Sequence, residues 1–149
     1  MSLYEKRLPV ALVDDAEPTG SAATSSELDI ANEPMAVVHV LYTATGTGKV
    51  LRLYPEVRLA MSAGEVWVPA LSASFDVSGA TVDDEGYLPL DGASPVLDVP
   101  GIGGQEVAVT LHVPVPTGDR FRLRYAEDGY SGHEPGHVSV YAAAARGAS

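Results

Sequence analysis

His133, Glu134, Pro135, Gly136 and His137 match the spacing H-E-x-x-H letter for letter. In zinc proteases that spacing places two histidines one helical turn apart on one face, with the glutamate as general base. Here Pro135 and Gly136, the weakest helix formers, stand between them. In an extended chain the two rings lie more than about 10 Å apart at ~3.3 Å per residue, and no third ligand is implied. The expectation is a hairpin loop that carries the letters without the metal. Gly46-Thr47-Gly48-Lys49 has part of a phosphate loop, but Thr43 stands where an earlier glycine belongs, Val50 follows the lysine, and a strand comes next instead of a helix. A hairpin turn is expected there. Gly101-Ile102-Gly103-Gly104 lacks the dinucleotide spacing and also leads into a strand, so it reads as a loop.

Asp83, Asp84, Glu85 and Asp91 could offer oxygen ligands to calcium. They lack the alternating spacing of a calcium loop, and a solvated acidic loop is expected. His39 and His112 fall on strands and need no special role, and nothing brings a serine to a histidine. No catalytic, cofactor-binding or metal-binding residue is therefore assigned. Arg120, Arg122 and Arg124 form a basic stripe on one strand face. Such a stripe can dock an acidic partner or phosphates; its plainer use is cross-strand pairing with carboxylates such as Glu106.

These residues sit in a chain written with a period of two. Leu51, Leu53, Val57 and Leu59 alternate with Arg52, Tyr54, Glu56 and Arg58. Val107, Val109, Leu111 and Val113 alternate with Glu106, Ala108, Thr110 and His112; Phe121, Leu123 and Tyr125 alternate with the arginines. Successive strand side chains point to opposite faces, so each run has one buried and one wet face. Eight or nine strands follow, at Glu27–Ile30, Ala36–Thr43, Val50–Leu59, Glu65–Leu71, Ala73–Val77, Pro95–Val99, Glu106–Val113, Arg120–Ala126 and His137–Ala144. Ala36–Thr43 is apolar on both faces and should be central. Pro55 suggests a sheet edge or a bulge in its strand. Residues 79–94 read as a loop region, and no segment has a sustained helical period. The fold class is all-β: an antiparallel β-sandwich, jelly-roll or Greek-key-like, with an extended N-terminal arm.

The 149 residues suit one domain and a real core. Without cysteine there is neither a disulfide framework nor a thiolate metal site. A net charge of −11 with nine basic residues argues against gripping nucleic acid. No run approaches the ~20 apolar residues of a spanning helix, so no membrane partner is expected. Met1–Val13 holds too short an apolar stretch for a signal peptide, and export by its own signal is not expected.

Residues 1–34 read as an arm or linker ahead of a sandwich domain at 35–149, with a small, polar stretch from Asp14 to Ser26. Fully extended, residues 9–25 reach about 55 Å at ~3.3 Å per residue. The segment could cross to a neighbouring subunit, with Leu3, Tyr4, Leu8, Val10, Leu12 and Val13 as apolar anchors, or lie along its own domain.

Ser25–Ile30, the Thr43–Val57 hairpin (TATGTGKVLRLYPEV), Glu65–Trp67, the Val107–Gly129 hairpin and the closing Gly136–Ala143 strand occur in an order that resembles the small β-sandwich accessory proteins of tailed-phage virions and prophages. Ala60–Gly64 departs from that pattern, lacking its Asp-Gly turn. The resemblance implies a non-enzymatic virion part without cofactor, assembled in the host cytoplasm. It implies a capsid decoration or cement protein on the outer surface of the head, bound to the major capsid protein or another virion protein. Other places in the virion (head–tail junction, tail, fibre base) are the alternative. A homo-oligomer is expected, a trimer at a quasi-threefold site or a dimer at a twofold. Two other classes compete. A carbohydrate-binding sandwich would use exposed aromatics among Tyr54, Trp67, Tyr87, Tyr130 and Tyr141, although a lone tryptophan in a sandwich usually packs in the core. A cupin-type enzyme would need clustered histidines, for which only His39, His112, His133 and His137 are at hand.

Overall fold

The computed structural model describes residues 8–30, 33–59, 65–70, 74–78, 85–87, 97–115, 118–129 and 134–146. Among them run twelve strands: β1 (Val10–Ala16), β2 (Ala23–Thr24), β3 (Leu28–Asp29), β4 (Met35–Thr43), β5 (Val50–Leu59), β6 (Trp67–Pro69), β7 (Ser74–Ser78), β8 (Glu85–Tyr87), β9 (Leu97–Pro100), β10 (Glu106–Pro114), β11 (Gly118–Asp128) and β12 (His137–Ala145). One sheet, here sheet A, has the order β1-β12-β4-β10-β7-β8. Sheet B has the order β2-β11-β5-β6, with β3 also on β11 and β9 also on β5. Every pairing is antiparallel, and the two sheets pack face to face as a β-sandwich.

The period-two runs build the core. Val38, Val40 and Tyr42 of β4, Val107 to Val113 at alternate positions of β10, and Val138, Val140 and Ala142 of β12 face inward from sheet A. Leu51, Leu53 and Val57 of β5 and Phe121, Leu123 and Tyr125 of β11 meet them from sheet B. Each such valine or leucine stabilises the fold by about 1.5–3 kcal/mol when fully buried. Burial raises the Tyr125 hydroxyl above the ordinary tyrosine range. As its composition suggests, β4 lies inside its sheet, between β12 and β10.

The N-terminal segment is extended but does not stand apart from the sandwich. β1 pairs with β12, while β2 and β3 pair with β11. Leu12 (4% exposed), Val13, Leu28 and Ile30 enter the core. A boundary at residues 34/35 therefore falls within one body. Composition alone read as a linker because β1 is short and has two bulges; at the first, Leu12 and Val13 both face inward and break the alternation.

The local turns also need correction. β4 and β5 lie in different sheets, as do β10 and β11 and then β11 and β12, so the links between them are sheet-to-sheet crossings and not hairpins. Alternation shows that one face of each strand is buried, not which sheet supplies the neighbour. β8 lies inside the stretch read as a loop region. Pro55 is in an interior strand and in regular register with Leu123, away from the one register shift of that ladder at Arg58–Leu59. Its carbonyl accepts from Ala70 N–H at 2.9 Å, so its donor-less nitrogen faces the same side. There β6 takes residues 56–58 and β9 takes 50–53, leaving position 55 in the gap between them.

Candidate functional site

The outer face of sheet B carries the arginines. Register puts Arg122 opposite Glu56 and Arg120 opposite Arg58. The first is an ion pair at 2.7 Å (Nε to Oε1). The second, a like-charge pair, is relieved from both sides. Arg58 donates through Nε and Nη2 to the two Asp119 carboxyl oxygens at 2.8 and 2.9 Å, and Arg120 faces Glu27 at 3.9 Å. The Arg58 guanidinium holds the Asp119 carboxyl below its ordinary value, and the Asp119 bond raises Arg58 in turn. Arg124 approaches Glu56 at 3.9 Å, and Arg52 reaches Asp128 at 3.3 Å and Asp98 at 3.6 Å.

The stripe is thus matched by carboxylates, but not by Glu106, which lies on β10 in the other sheet. Trp67 is not in the core. Cross-strand from Arg58, it is half-buried on this outer face, with the Arg122 guanidinium 4.0 Å from its ring centroid. A cation over the ring adds attraction from the ring quadrupole and covers one side of the indole.

At one end of the sandwich the fragments of the two rejected motifs meet. Lys49 Nζ donates to the Glu134 carbonyl, and Thr45 Oγ1 donates to the Pro135 carbonyl at 3.1 Å. Behind them Tyr42 OH of β4 donates to Glu127 Oε2 of β11 at 2.6 Å, across the two sheets. Gly136 N–H reaches Glu127 Oε1 at 3.3 Å. Glu127 is 0% exposed. Burial first, and then the Glu127 carboxyl, push the Tyr42 hydroxyl far above the ordinary tyrosine range. Gly136 is required here: a Cβ would stand 2.6 Å from both Glu127 Oε2 and the Thr43 carbonyl. The period-two parity of 121, 123 and 125 already points residue 127 inward, a signal the motif search passed over. The pair is sealed from solvent, so its chemistry is to tie sheet A to sheet B.

His137 opens β12 and meets Asp15 at 3.2 Å, while His133 lies outside the described residues. His39 Nδ1 is 3.0 Å from Thr110 Oγ1 of the adjacent strand. Among the described residues no group of three His, Asp or Glu could hold a metal, and no helix is long and apolar enough to cross a membrane. Asp83, Asp84 and Asp91 fall outside the described residues. A shallow polar cleft of about 210 Å³ is bordered by Gly20, Arg52, Tyr54 and Asp128; it is smaller than the ~300 Å³ at which ligand sites begin.

The proposed docking residues divide between two places. Arg120, Arg122 and Arg124 lie on sheet B; Leu8, Val10, Leu12 and Val13 lie at the β1 edge of sheet A. Leu8 is 84% and Val10 52% exposed, but Leu12 and Val13 are core residues of their own domain and cannot anchor on a neighbour. Leu3 and Tyr4 lie outside the described residues. No family model matches the chain, and no curated protein or solved structure matches it.

Proposed function

We propose that this chain is a non-enzymatic structural protein of tailed-phage virions, a decoration or cement protein seated on the outer surface of the head against the major capsid protein. The observation that carries the reading is the split within β1. Its Leu12–Val13 half is pinned in the core, while Leu8 and Val10 beside it are apolar and exposed. An edge strand anchored at one end and apolar at the other suits docking to a larger surface by main-chain and apolar contacts. The winding supports the same reading. Strands β3, β4 and β5 alternate between the sheets, as do β9 to β12, and β1-β12-β4-β10 faces β2-β11-β5-β6. We read this as a jelly roll, a fold common in capsid-associated domains. The order of strand and turn motifs resembles the phage accessory proteins, and the acidic charge keeps free copies soluble before assembly. The Arg122 guanidinium over Trp67 weighs against that indole as a sugar platform.

The test is co-sedimentation of the full chain with empty tailed-phage shells. Saturable binding at fixed stoichiometry is expected, with its loss on deletion of residues 1–8, which spares β1. Deleting residues 1–20 is not an equivalent experiment, because it removes β1 and uncovers the core. Absence of shell binding by the folded, full-length chain overturns the decoration role; binding to tails in its place moves the protein elsewhere in the virion.

A further inference from the structure

Residues 8–30 are held to the rest of the molecule less firmly than the long strands hold one another. β1 pairs with β12 at four positions interrupted by two register shifts, and β2 and β3 each pair with β11 at two positions. β4, by contrast, pairs along all nine of its residues with both β10 and β12, and β5 pairs with β11 at ten positions. β1 is an edge of sheet A and β2 an edge of sheet B. Lifting residues 8–30 away therefore leaves every long ladder of both sheets in place, and with them the Tyr42–Glu127 tie between the sheets.

The segment is also tied to itself. Ser26 N–H donates to the Leu12 carbonyl at 3.0 Å, joining the half that lies on sheet A to the half that lies on sheet B. Ser25 holds the second half to β11: its N–H donates to the Leu123 carbonyl and its Oγ accepts from Leu123 N–H, both at 2.9 Å. The Thr19 carbonyl accepts from Glu127 N–H at 2.8 Å, and Ile30 N–H donates to the Asp119 carbonyl at 3.0 Å. Leu12, Val13, Leu28 and Ile30 enter the core. The body resumes at Pro34, whose carbonyl accepts from Val115 N–H at 2.7 Å.

The remaining contacts add little. The Asp15–His137 and Glu27–Arg120 ion pairs are exposed at both partners, where such pairs contribute little to stability. Asp15 N–H donates to Ser139 Oγ at 3.0 Å, also in an exposed position. Asp15 itself has a φ of 47°, within the second register shift of β1, and that left-handed conformation is costly for an L-residue.

We propose that residues 8–30 form a strap that opens and recloses as one cooperative unit while the rest of the sandwich stays folded. A contiguous unit with few buried anchors and only edge pairings opens at a lower free energy than the core it covers. The Ser26–Leu12 bond couples its two halves. Opening bares the outer edges of β12 and β11 together with the seats of the four core side chains. Free sheet edges of this kind add foreign strands. The closed strap is thus the guard of this side of the molecule, and its opening equilibrium sets how often the side is bare. This inference concerns the chain alone and does not depend on the virion reading.

Native-state hydrogen exchange of the full chain tests it. Five amides report the strap: Ser25 and Ile30 donate from it, Ser26 donates within it, and Leu123 and Glu127 donate to it. They should share one opening equilibrium and exchange at least about tenfold faster than Val38 and Val40 of β4, which open only with the whole fold. Two substitutions separate strap opening from global unfolding. Leu12→Ala removes a side chain that either opening releases, so it should speed the strap amides and the β4 amides alike. Leu111→Val thins the core on β10, which stays folded when the strap is open. It should speed Val38 and Val40 and leave the strap amides within about twofold of their original rates. Strap amides as slow as Val38 and Val40, strap amides that differ widely among themselves, or a Leu111→Val that speeds them as much as the β4 pair would each overturn the proposal.

Discussion

Removing one oxygen atom from Tyr42 should be among the costlier small changes in this protein. Tyr42 OH donates at 2.6 Å to Glu127 Oε2, and both residues are 0% exposed. In Tyr42→Phe the ring still packs, but Oε2 keeps no donor from β4, and Oε1 keeps only the longer 3.3 Å contact from Gly136 N–H. An unsatisfied buried polar group costs about 1–3 kcal/mol. The short bond and the carboxyl acceptor place this case near 2 kcal/mol or above. For a domain of this size each kcal/mol lowers Tm by about 2–4 °C, so a drop of at least about 4 °C is expected. Urea unfolding should show a lower midpoint with an unchanged m value.

A double-mutant cycle with Glu127→Leu sharpens the test. Either single change strands the other member of the pair; the double change strands only Gly136 N–H, which Glu127→Leu strands by itself and which therefore cancels in the cycle, so the pair should couple by more than about 1 kcal/mol. The pH dependence has a definite sign. The folded-state tyrosine value lies above the ordinary 10.0, so this contribution is complete below pH 10.0 and is lost as pH rises beyond it. Tyr42→Phe should flatten that alkaline decline. A melting change below about 1 °C, or strictly additive single effects, would refute the claim that this bond ties the sheets.

Gly136→Ala should destabilise by about 1–3 kcal/mol through overpacking, since one of the atoms it meets is the Thr43 backbone carbonyl; chemical denaturation reads it. Asp119 has a folded value below its ordinary 3.8, so its contribution is complete above that pH and is lost as pH falls through the folded value. Asp119→Asn should therefore lower Tm at neutral pH and flatten the acid limb of a Tm-against-pH curve. Leu12→Ala should cost about 2–3 kcal/mol, at the lower end for core leucines because β1 is an edge strand, whereas Leu8→Ala should change stability by less than about 0.5 kcal/mol. Arg122→Ala removes both its Glu56 partner and the cover over the single tryptophan. A loss of about 1 kcal/mol should accompany a shift in Trp67 fluorescence, and an unchanged emission spectrum would count against that contact.

Period-two writing was enough to read the long strands because burial acts on one face at a time. Leu51, Leu53, Phe121 and Leu123 are all inward, and Arg120, Arg122 and Arg124 all outward, as their alternation implies. Partner choice was not legible, because an inward valine packs equally well in either sheet; hence the crossings taken for hairpins. β1 escaped because a bulge turns two consecutive residues inward and because its polar neighbours outweigh Leu12 and Val13 in composition. Trp67 was misplaced since a lone tryptophan carries no sign of the Arg122 that caps it. The Tyr42–Glu127 tie was within reach of parity, but a glutamate among apolar residues signals a buried polar contact only once its partner is known.

Strand order also sets a timetable for synthesis. β1 finds its neighbour in β12, β2 and β3 find theirs in β11, and β4 sits between β10 and β12. None of the first four strands can begin to pair as in the folded protein until the last third of the chain starts to leave the ribosome, and β1 waits for β12 near its end. Until then apolar segments such as Ala36–Tyr42 wait without their sheet. Sheets made of distant segments close slowly, and waiting strands are the ones that stick to other chains. Premature termination before β12 should leave an aggregation-prone fragment and not a smaller working sandwich, because β1 and one side of β4 would stay without their neighbour.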